Sequence, residues 1–272
     1  MPELPEITIL AQQMGQQLAG RRLEGADVVQ EKCLNLPKDA FCSAISARVV
    51  VRSYPKGKWV FTELDGGYHL LLNLGMGAEV RYHAPGSAWQ PDYQVGLRFD
   101  DGAGLSCRFW WLGYVHLMPS DRLSEHKLTA GLAVSPLDPA FTLEYLAGVL
   151  SKSRTAVKTV LLDQRKVAGI GNVYVQDILF RAGLHPLRPG NGLRLREVER
   201  LYDSIHAQLE MAISKHGLLY ERDLYGQEGG FGMEEYLVAY KEGKPCPVCG
   251  TTIAKIRTGS TASYICPNCQ VL

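Results

Sequence analysis

The feature that most limits what this chain can fold into is a pair of Cys-x-x-Cys elements near its end. Cys246 and Cys249 form the first, Cys266 and Cys269 the second, with sixteen residues between them. Brought together by a β-hairpin, the two pairs offer four thiolates in a tetrahedron, the arrangement that Zn2+ prefers. Four protein ligands close the coordination sphere, so one structural zinc ion is expected rather than a catalytic one. Residues 236–272 are therefore read as a separate zinc-finger module. Cys33, Cys42 and Cys107 have no comparable spacing and are expected in the core. The chain start carries neither a basic cluster nor a long apolar run, so a soluble, cytoplasmic protein is expected, where disulfides are rare.

Upstream of the finger the hydrophobic pattern changes period twice. Pro5 suits a first helical turn, and Ile7, Leu10, Ala11, Met14 and Leu18 recur at helical spacing up to Gly20. From Val28 to about Leu117 short β-rich runs follow: Trp59 to Leu64, Tyr68 to Leu72, Glu79 to Tyr82, Val95 to Phe99 and Tyr114 to Leu117. Turn residues such as Asp65-Gly66-Gly67 and Asp100-Asp101-Gly102 separate them. A polar, turn-rich stretch then gives way to helical periodicity over Phe141 to Leu150, Thr155 to Leu162, Val173 to Ala182 and Leu195 to Lys215. Residues 217–235 show no clear period and read as a loop. The expected architecture is an α+β multidomain chain. It has a leading helix and β-sandwich over 1–125, a linker over 126–140, a helical domain over 141–235 and the finger.

A net charge of +1 excludes a uniformly basic surface, so any polyanion must be met locally. Residues 151–190 hold Lys152, Arg154, Lys158, Arg165, Lys166, Arg181 and Arg188 against Asp163 and Asp177 alone. Within this segment Gly169-Ile170-Gly171-Asn172 opens a helix. Backbone N–H groups at such a turn can receive a phosphate, although an ordinary helix cap reads the same way. At the chain start, Pro2-Glu3-Leu4-Pro5-Glu6 has two readings as well. Two acids at a helix N-terminus complement its dipole. Alternatively, removal of Met1 leaves a secondary amine with a pKa near roughly 8, partly unprotonated at neutral pH and able to attack an electrophilic carbon.

These elements occur together, and in this order. With Lys56-Gly57-Lys58-Trp59, Asn73-Leu74-Gly75-Met76, the Leu161 to Pro186 block and Tyr236 to Gly243, they span nearly the whole chain. In this combination the sequence resembles the formamidopyrimidine-DNA glycosylase and endonuclease VIII family, closer to the first branch. The resemblance implies a monomer with a helix-two-turns-helix domain, acting on double-stranded DNA that holds a damaged base or an abasic site. It implies a bifunctional glycosylase and lyase of base-excision repair. Pro2 would attack C1′ of a flipped-out nucleotide and form a Schiff base, Glu3 would move protons, and β- then δ-elimination would follow. Glu6 would position the opened sugar, Lys58 and Asn172 would hold flanking phosphates, and Met76 would fill the gap left in the stack. Arg154 belongs to the same expected DNA-binding set.

Four departures from the family pattern stand out. Thr261 occupies the place of an arginine that grips the phosphate of the flipped nucleotide. Trp110-Trp111-Leu112 stands where an Arg-Arg-Phe element wedges into the duplex, so Trp110 and Trp111 are expected to stack without reading a cytosine. Asn73 replaces a histidine, and Gly217-Leu218-Leu219 lacks the usual hydroxyl residues. These changes keep open two alternatives: a damaged-DNA-binding protein, and a lyase with little base-excision activity.

Overall fold

The computed structural model describes residues 1–89 and 91–272, and its chain divides into two compact units. The first comprises residues 1–131 and 215–230, the second residues 132–214 and 231–272.

The first unit opens with α1 (Leu4–Leu18). Its N-terminus is fixed by a capping box: the Glu3 side chain accepts from the Glu6 backbone N–H, and a Glu6 carboxylate oxygen accepts from the Glu3 N–H at 2.8 Å. Such reciprocal capping satisfies two donors that a helix start otherwise leaves orphaned. The apolar stripe Ile7, Leu10, Ala11, Met14 and Leu18 is buried, as its period requires.

Two four-stranded antiparallel sheets form the sandwich. One runs in the order β2 (Val50–Lys56), β3 (Trp59–Leu64), β4 (Tyr68–Asn73), β8 (Tyr114–Pro119). The other is ordered β1 (Leu23–Val28), β6 (Val95–Phe99), β7 (Gly104–Arg108), β5 (Glu79–His83). Val60, Leu70, Leu72 and Val115 from the first sheet and Val80, Leu97, Phe99 and Leu105 from the second share one buried cluster with the α1 stripe. Helix α1 packs on β2 and β3. Sequence periodicity located β3 and β6 to the residue; it did not find β1, β2 or β7. It also missed α2 (Lys38–Ile45) inside the β-rich region. That helix buries a single i,i+4 pair, Phe41 and Ile45, too short a pattern to stand out from the strands around it. Cys33 and Cys107 are buried and Cys42 is half-buried, in keeping with core roles.

Under the sheet carrying β8, the His116 Nδ1 lies 2.8 Å from His126 Nε2, and both rings are buried against Trp59. Burial first, and the neighbouring His126 second, push the His116 pKa down to about 4. Its folded pKa lies below the unfolded value of about 6.5, so the unfolded chain binds the extra proton as pH falls through that window, and stability drops. The expected loss from this residue is about 2 kcal/mol by pH 5. Urea unfolding at pH 7.5 and pH 5 of the native chain and a His116→Asn variant checks it. Equal pH slopes for the two proteins would refute the assignment.

The second unit packs α3 (Leu143–Ser151), α4 (Val157–Leu162), α5 (Tyr174–Arg181) and α6 (Leu195–Ser214). The hairpin β9 (Ala254–Thr258) and β10 (Thr261–Ile265) completes it, with register Thr261 opposite Thr258. Thr142 caps α3 by accepting from the Tyr145 N–H at 3.1 Å. Asp177 of α5 is buried, and its carboxylate accepts from the backbone N–H groups of Leu237, Val238 and Ala239 at 2.9, 2.9 and 3.0 Å. That contact fixes the strand of chain leading into the finger. Among the described residues no helix is long and apolar enough to cross a membrane.

Candidate functional site

In the first unit the chain start is buried rather than frayed. Pro2, Glu3 and Glu6 are all inaccessible or nearly so, with Glu3 at 3% and Glu6 at 8% exposure. Beyond its capping role, Glu6 accepts from the Leu218 N–H at 3.0 Å, so the loop that follows α6 is pinned to the first turn of α1. The capping box therefore does two things at once: it starts a helix, and it locks two carboxylates beside the residue at position 2.

Lys58 sits in the two-residue turn between β2 and β3, where Lys56 pairs with Trp59. Asn73, at the end of β4, donates to the Lys58 carbonyl at 2.9 Å and accepts from the Gly75 N–H at 3.2 Å. One amide thus ties the lysine turn to the loop that carries Met76. That loop in turn pairs with the tryptophan segment, through Met76 N–H to the Trp111 carbonyl at 2.9 Å and Trp110 N–H to the Met76 carbonyl at 3.3 Å. Gly75 has φ of 53°, and a Cβ there would stand 2.1 Å from the Trp111 carbonyl oxygen, so only glycine allows the two loops to approach. The structure consequently brings together Lys58, Met76, Trp110 and Trp111.

Met76, Trp110 and Trp111 are exposed by 50, 77 and 64%. Three large apolar side chains held on paired backbone and left in solvent are unusual for a closed surface and suit a stacking partner. Trp110 and Trp111 border a cleft of about 720 Å3 whose other walls include Gln30, Lys32, Gln94 and Tyr114.

In the second unit a separate polar cluster forms where α4 and α5 meet the β9–β10 hairpin. The Gly169-Ile170 turn is shaped by Gln164, which accepts from the Gly169 N–H at 2.7 Å and donates to the Ile170 carbonyl at 2.9 Å. Gln176 of α5 donates to the Asn172 carbonyl at 2.9 Å and side-chain oxygen at 3.1 Å, and also to the Ala262 carbonyl at 3.2 Å. Asn172 and Thr261 are thereby brought to one place. Arg154 lies exposed in the turn between α3 and α4.

Sequence patterns gave no special weight to Lys158, which turns out to be the centre of this cluster. It is 2% exposed, and its ammonium donates to Thr258 Oγ1 at 3.1 Å, Thr261 Oγ1 at 3.0 Å, the Ala262 carbonyl at 2.6 Å and Ser263 Oγ at 2.8 Å. All four acceptors are neutral oxygens. Burial pulls the lysine pKa down to about 8. Thr261, at the place of the family's arginine, therefore has a cation one hydrogen bond behind its hydroxyl. Replacing Lys158 with Met would leave several of these oxygens without a donor and lower stability by about 2–4 kcal/mol. Thermal unfolding measures this, and a loss below about 0.5 kcal/mol, the size of an ordinary surface substitution, would show that the cluster re-pairs without the lysine.

The four finger cysteines converge. All Sγ atoms lie within 4.8 Å of one another, with Cys246–Cys269 at 3.9 Å, Cys249–Cys266 at 3.4 Å and Cys249–Cys269 at 3.5 Å. Zn–S bonds of about 2.3 Å in a tetrahedron place sulfurs about 3.8 Å apart, so the set fits one structural zinc ion. The Val248 and Cys269 N–H groups point at Cys246 and Cys266 Sγ, both at 3.4 Å, as outer-shell donors to thiolates. Gln270 anchors the module by accepting from the Cys266 N–H at 3.1 Å and donating to the Leu184 carbonyl at 2.9 Å.

Comparison with known proteins agrees along the whole length. Family models match for the formamidopyrimidine-DNA glycosylase N-terminal domain over residues 1–109, its H2TH domain over 132–221, and a zinc finger found in FPG and IleRS over 243–271. The formamidopyrimidine-DNA glycosylase of Chloroflexus aggregans is 35% identical over 279 residues, 100% of this chain and 99% of the relative. That of Roseiflexus sp. is 35% identical over 276 residues, covering 99% of this chain and 100% of the relative. Among solved structures, Lactococcus lactis Fpg in complex with N7-benzyl-Fapy-dG-containing DNA superposes with a TM-score of 0.89 at 25% identity, over 100% of both chains. The same enzyme with abasic-site DNA gives 0.88 at 24% identity, over 99% of this chain and 100% of that one. With a sandwich, a helix-two-turns-helix region and a four-cysteine finger in the same order, and full-length relatives at this identity, the chain belongs to the formamidopyrimidine-DNA glycosylase family.

Proposed function

We propose that this protein is a DNA-repair glycosylase with abasic-site lyase activity, acting on duplex DNA through the amine of Pro2. The observation that carries the reading is the buried capping box of Glu3 and Glu6, which fixes two carboxylates at the residue that becomes the chain start once Met1 is removed. A secondary amine held there attacks C1′ of an extruded nucleotide. Glu3 donates a proton to the departing base, and the iminium that forms withdraws electrons from the sugar so that the phosphates leave by β- and then δ-elimination. Glu6 holds the opened sugar. Lys58 and Asn172 supply a charge and a donor for phosphates on either side of the lesion.

Met76 with Trp110 and Trp111 enters the helix from the exposed paired loops and keeps the gap open by stacking, the usual device of apolar side chains that unstack a base step. Lacking a bidentate donor, this pair tolerates several opposite bases. Thr261 contacts phosphate through a hydroxyl that Lys158 polarises. The zinc finger and the α4–α5 region provide the remaining sequence-independent backbone contacts.

Borohydride trapping of Met1-processed protein on two labelled duplexes, one abasic and one carrying 8-oxoguanine, tests the reading. Adducts on both support a glycosylase and lyase. An adduct on the abasic duplex alone supports a lyase that acts after another enzyme has removed the base. Tight binding with no adduct on either overturns the amine chemistry in favour of a damaged-DNA-binding protein.

A further inference from the structure

Beyond the family's acidic pair, a third carboxylate reaches the chain start. Glu221 lies in the loop after α6, is 9% exposed, and places Oε1 3.6 Å from the terminal amine, here that of Met1. The Pro2 nitrogen is only three bonds from that amine, within about 4 Å by backbone dimensions. Removing Met1 therefore takes away the cation beside Glu221 and exposes a new amine next to it.

Of the other charged groups around this point, the Glu3 carboxylate acts on Glu221 itself, its like charge raising the affinity of Glu221 for a proton, and the rest are engaged by other partners. Glu3 and Glu6 cap α1, and Glu6 also accepts from the Leu218 N–H. Arg222 is turned to Glu79 and Glu228. Asp223 accepts from the Tyr225 and Gln227 N–H groups and from Gln13, while His216 is exposed. The Glu221 backbone is fixed as well, its N–H to the Leu218 carbonyl at 2.9 Å and its carbonyl to the Gly229 N–H at 3.2 Å. A carboxylate held in place, nearly dry and aimed at an amine is what a local proton acceptor requires.

We infer that Glu221 is the local base for the Pro2 amine and takes its proton before attack. This rests on Pro2 being the nucleophile. The proton balance is simple: one N–H proton of the Pro2 ammonium passes to the Glu221 carboxylate, leaving a neutral carboxylic acid and an amine whose lone pair forms the bond to C1′. Burial raises the affinity of Glu221 for a proton, which narrows the gap between the neutral pair and the ionic one. The carboxylate also favours the ammonium while it is ionised, so its removal lowers the amine pKa.

The test is the rate of borohydride trapping on abasic duplex as a function of pH, for Met1-processed wild type, Glu221→Gln and Glu221→Asp, with melting temperatures recorded for each. Glu221→Gln is expected to trap at least tenfold more slowly on the plateau and to move the acid limb down by about one pH unit. Glu221→Asp should restore both in part. A Glu221→Gln profile that matches wild type in midpoint and plateau overturns the inference while leaving the glycosylase reading intact. Absence of any wild-type adduct removes the reading on which it rests. If Glu221→Gln melts early, the Glu221→Asp profile decides: an unshifted midpoint and plateau count against the inference.

Discussion

Glu3→Gln is expected to slow release of a damaged base by roughly 10²–10⁴-fold, the usual size of a positioned proton donor's contribution. The substitution separates chemistry from folding unusually well. An amide oxygen still accepts from the Glu6 N–H, so the capping box and the burial of the first turn survive. What disappears is the ability to carry a proton. Pro2→Gly complements it, because a mobile primary amine replaces one whose ring fixes its direction, and strand cleavage at abasic sites should fall sharply. Gel assays on damaged and preformed abasic duplexes read both variants. If both nick abasic DNA as wild type does, the amine mechanism is wrong and the carboxylates have only their helix to cap.

Stripping zinc is expected to have the second large effect. Metal binding in isolated fingers contributes about 10–16 kcal/mol, and that energy is folding energy when the surrounding core is small. Here it is small: Cys246 and Cys266 are themselves two of the five buried members, with Phe180, Val238 and Ile253. Chelation, or Cys249→Ser, should abolish hydrogen-exchange protection along β9 and β10 and weaken DNA binding, because Thr261 and Ala262 lose their places. The sandwich unit should keep its own protection. Metal analysis should find one zinc per chain in untreated protein. A chelated protein whose hairpin amides remain protected would mean that hydrogen bonds from Lys158, Gln176 and Gln270 suffice to hold the finger.

Much of the architecture was legible in the sequence because it rests on local periodicity and spacing. The β3 run from Trp59 to Leu64 and the long helix from Leu195 carry their patterns on their own residues, and two Cys-x-x-Cys pairs announce a metal site at a distance. The polar interior was not legible. Lys158 meets its partners about a hundred residues further along, and Asp177 caps backbone groups sixty positions away. No property of a lone lysine or aspartate in a helical stretch distinguishes such a residue from a solvated one. Glu221 was hidden for the same reason, its relevance arising only because a loop folds back on the chain start. The roles of Lys58 and Asn172 came from family resemblance, since their spacing alone specifies no chemistry.

The return of residues 215–230 to the first unit has a consequence for how such a chain can be recombined. Because the N-terminal unit is completed by a segment lying beyond the helices of the second, neither unit is a contiguous cassette. A crossover anywhere between residues 131 and 215 that imports a foreign second half also replaces Leu218, the donor to Glu6, and Glu221, the neighbour of the terminal amine. Shuffled chimeras of family members would thus inherit mismatched chain starts unless the short segment travels with the sandwich, and exchange of the helical and finger portions then needs three junctions, after residues 131, 214 and 230, rather than one.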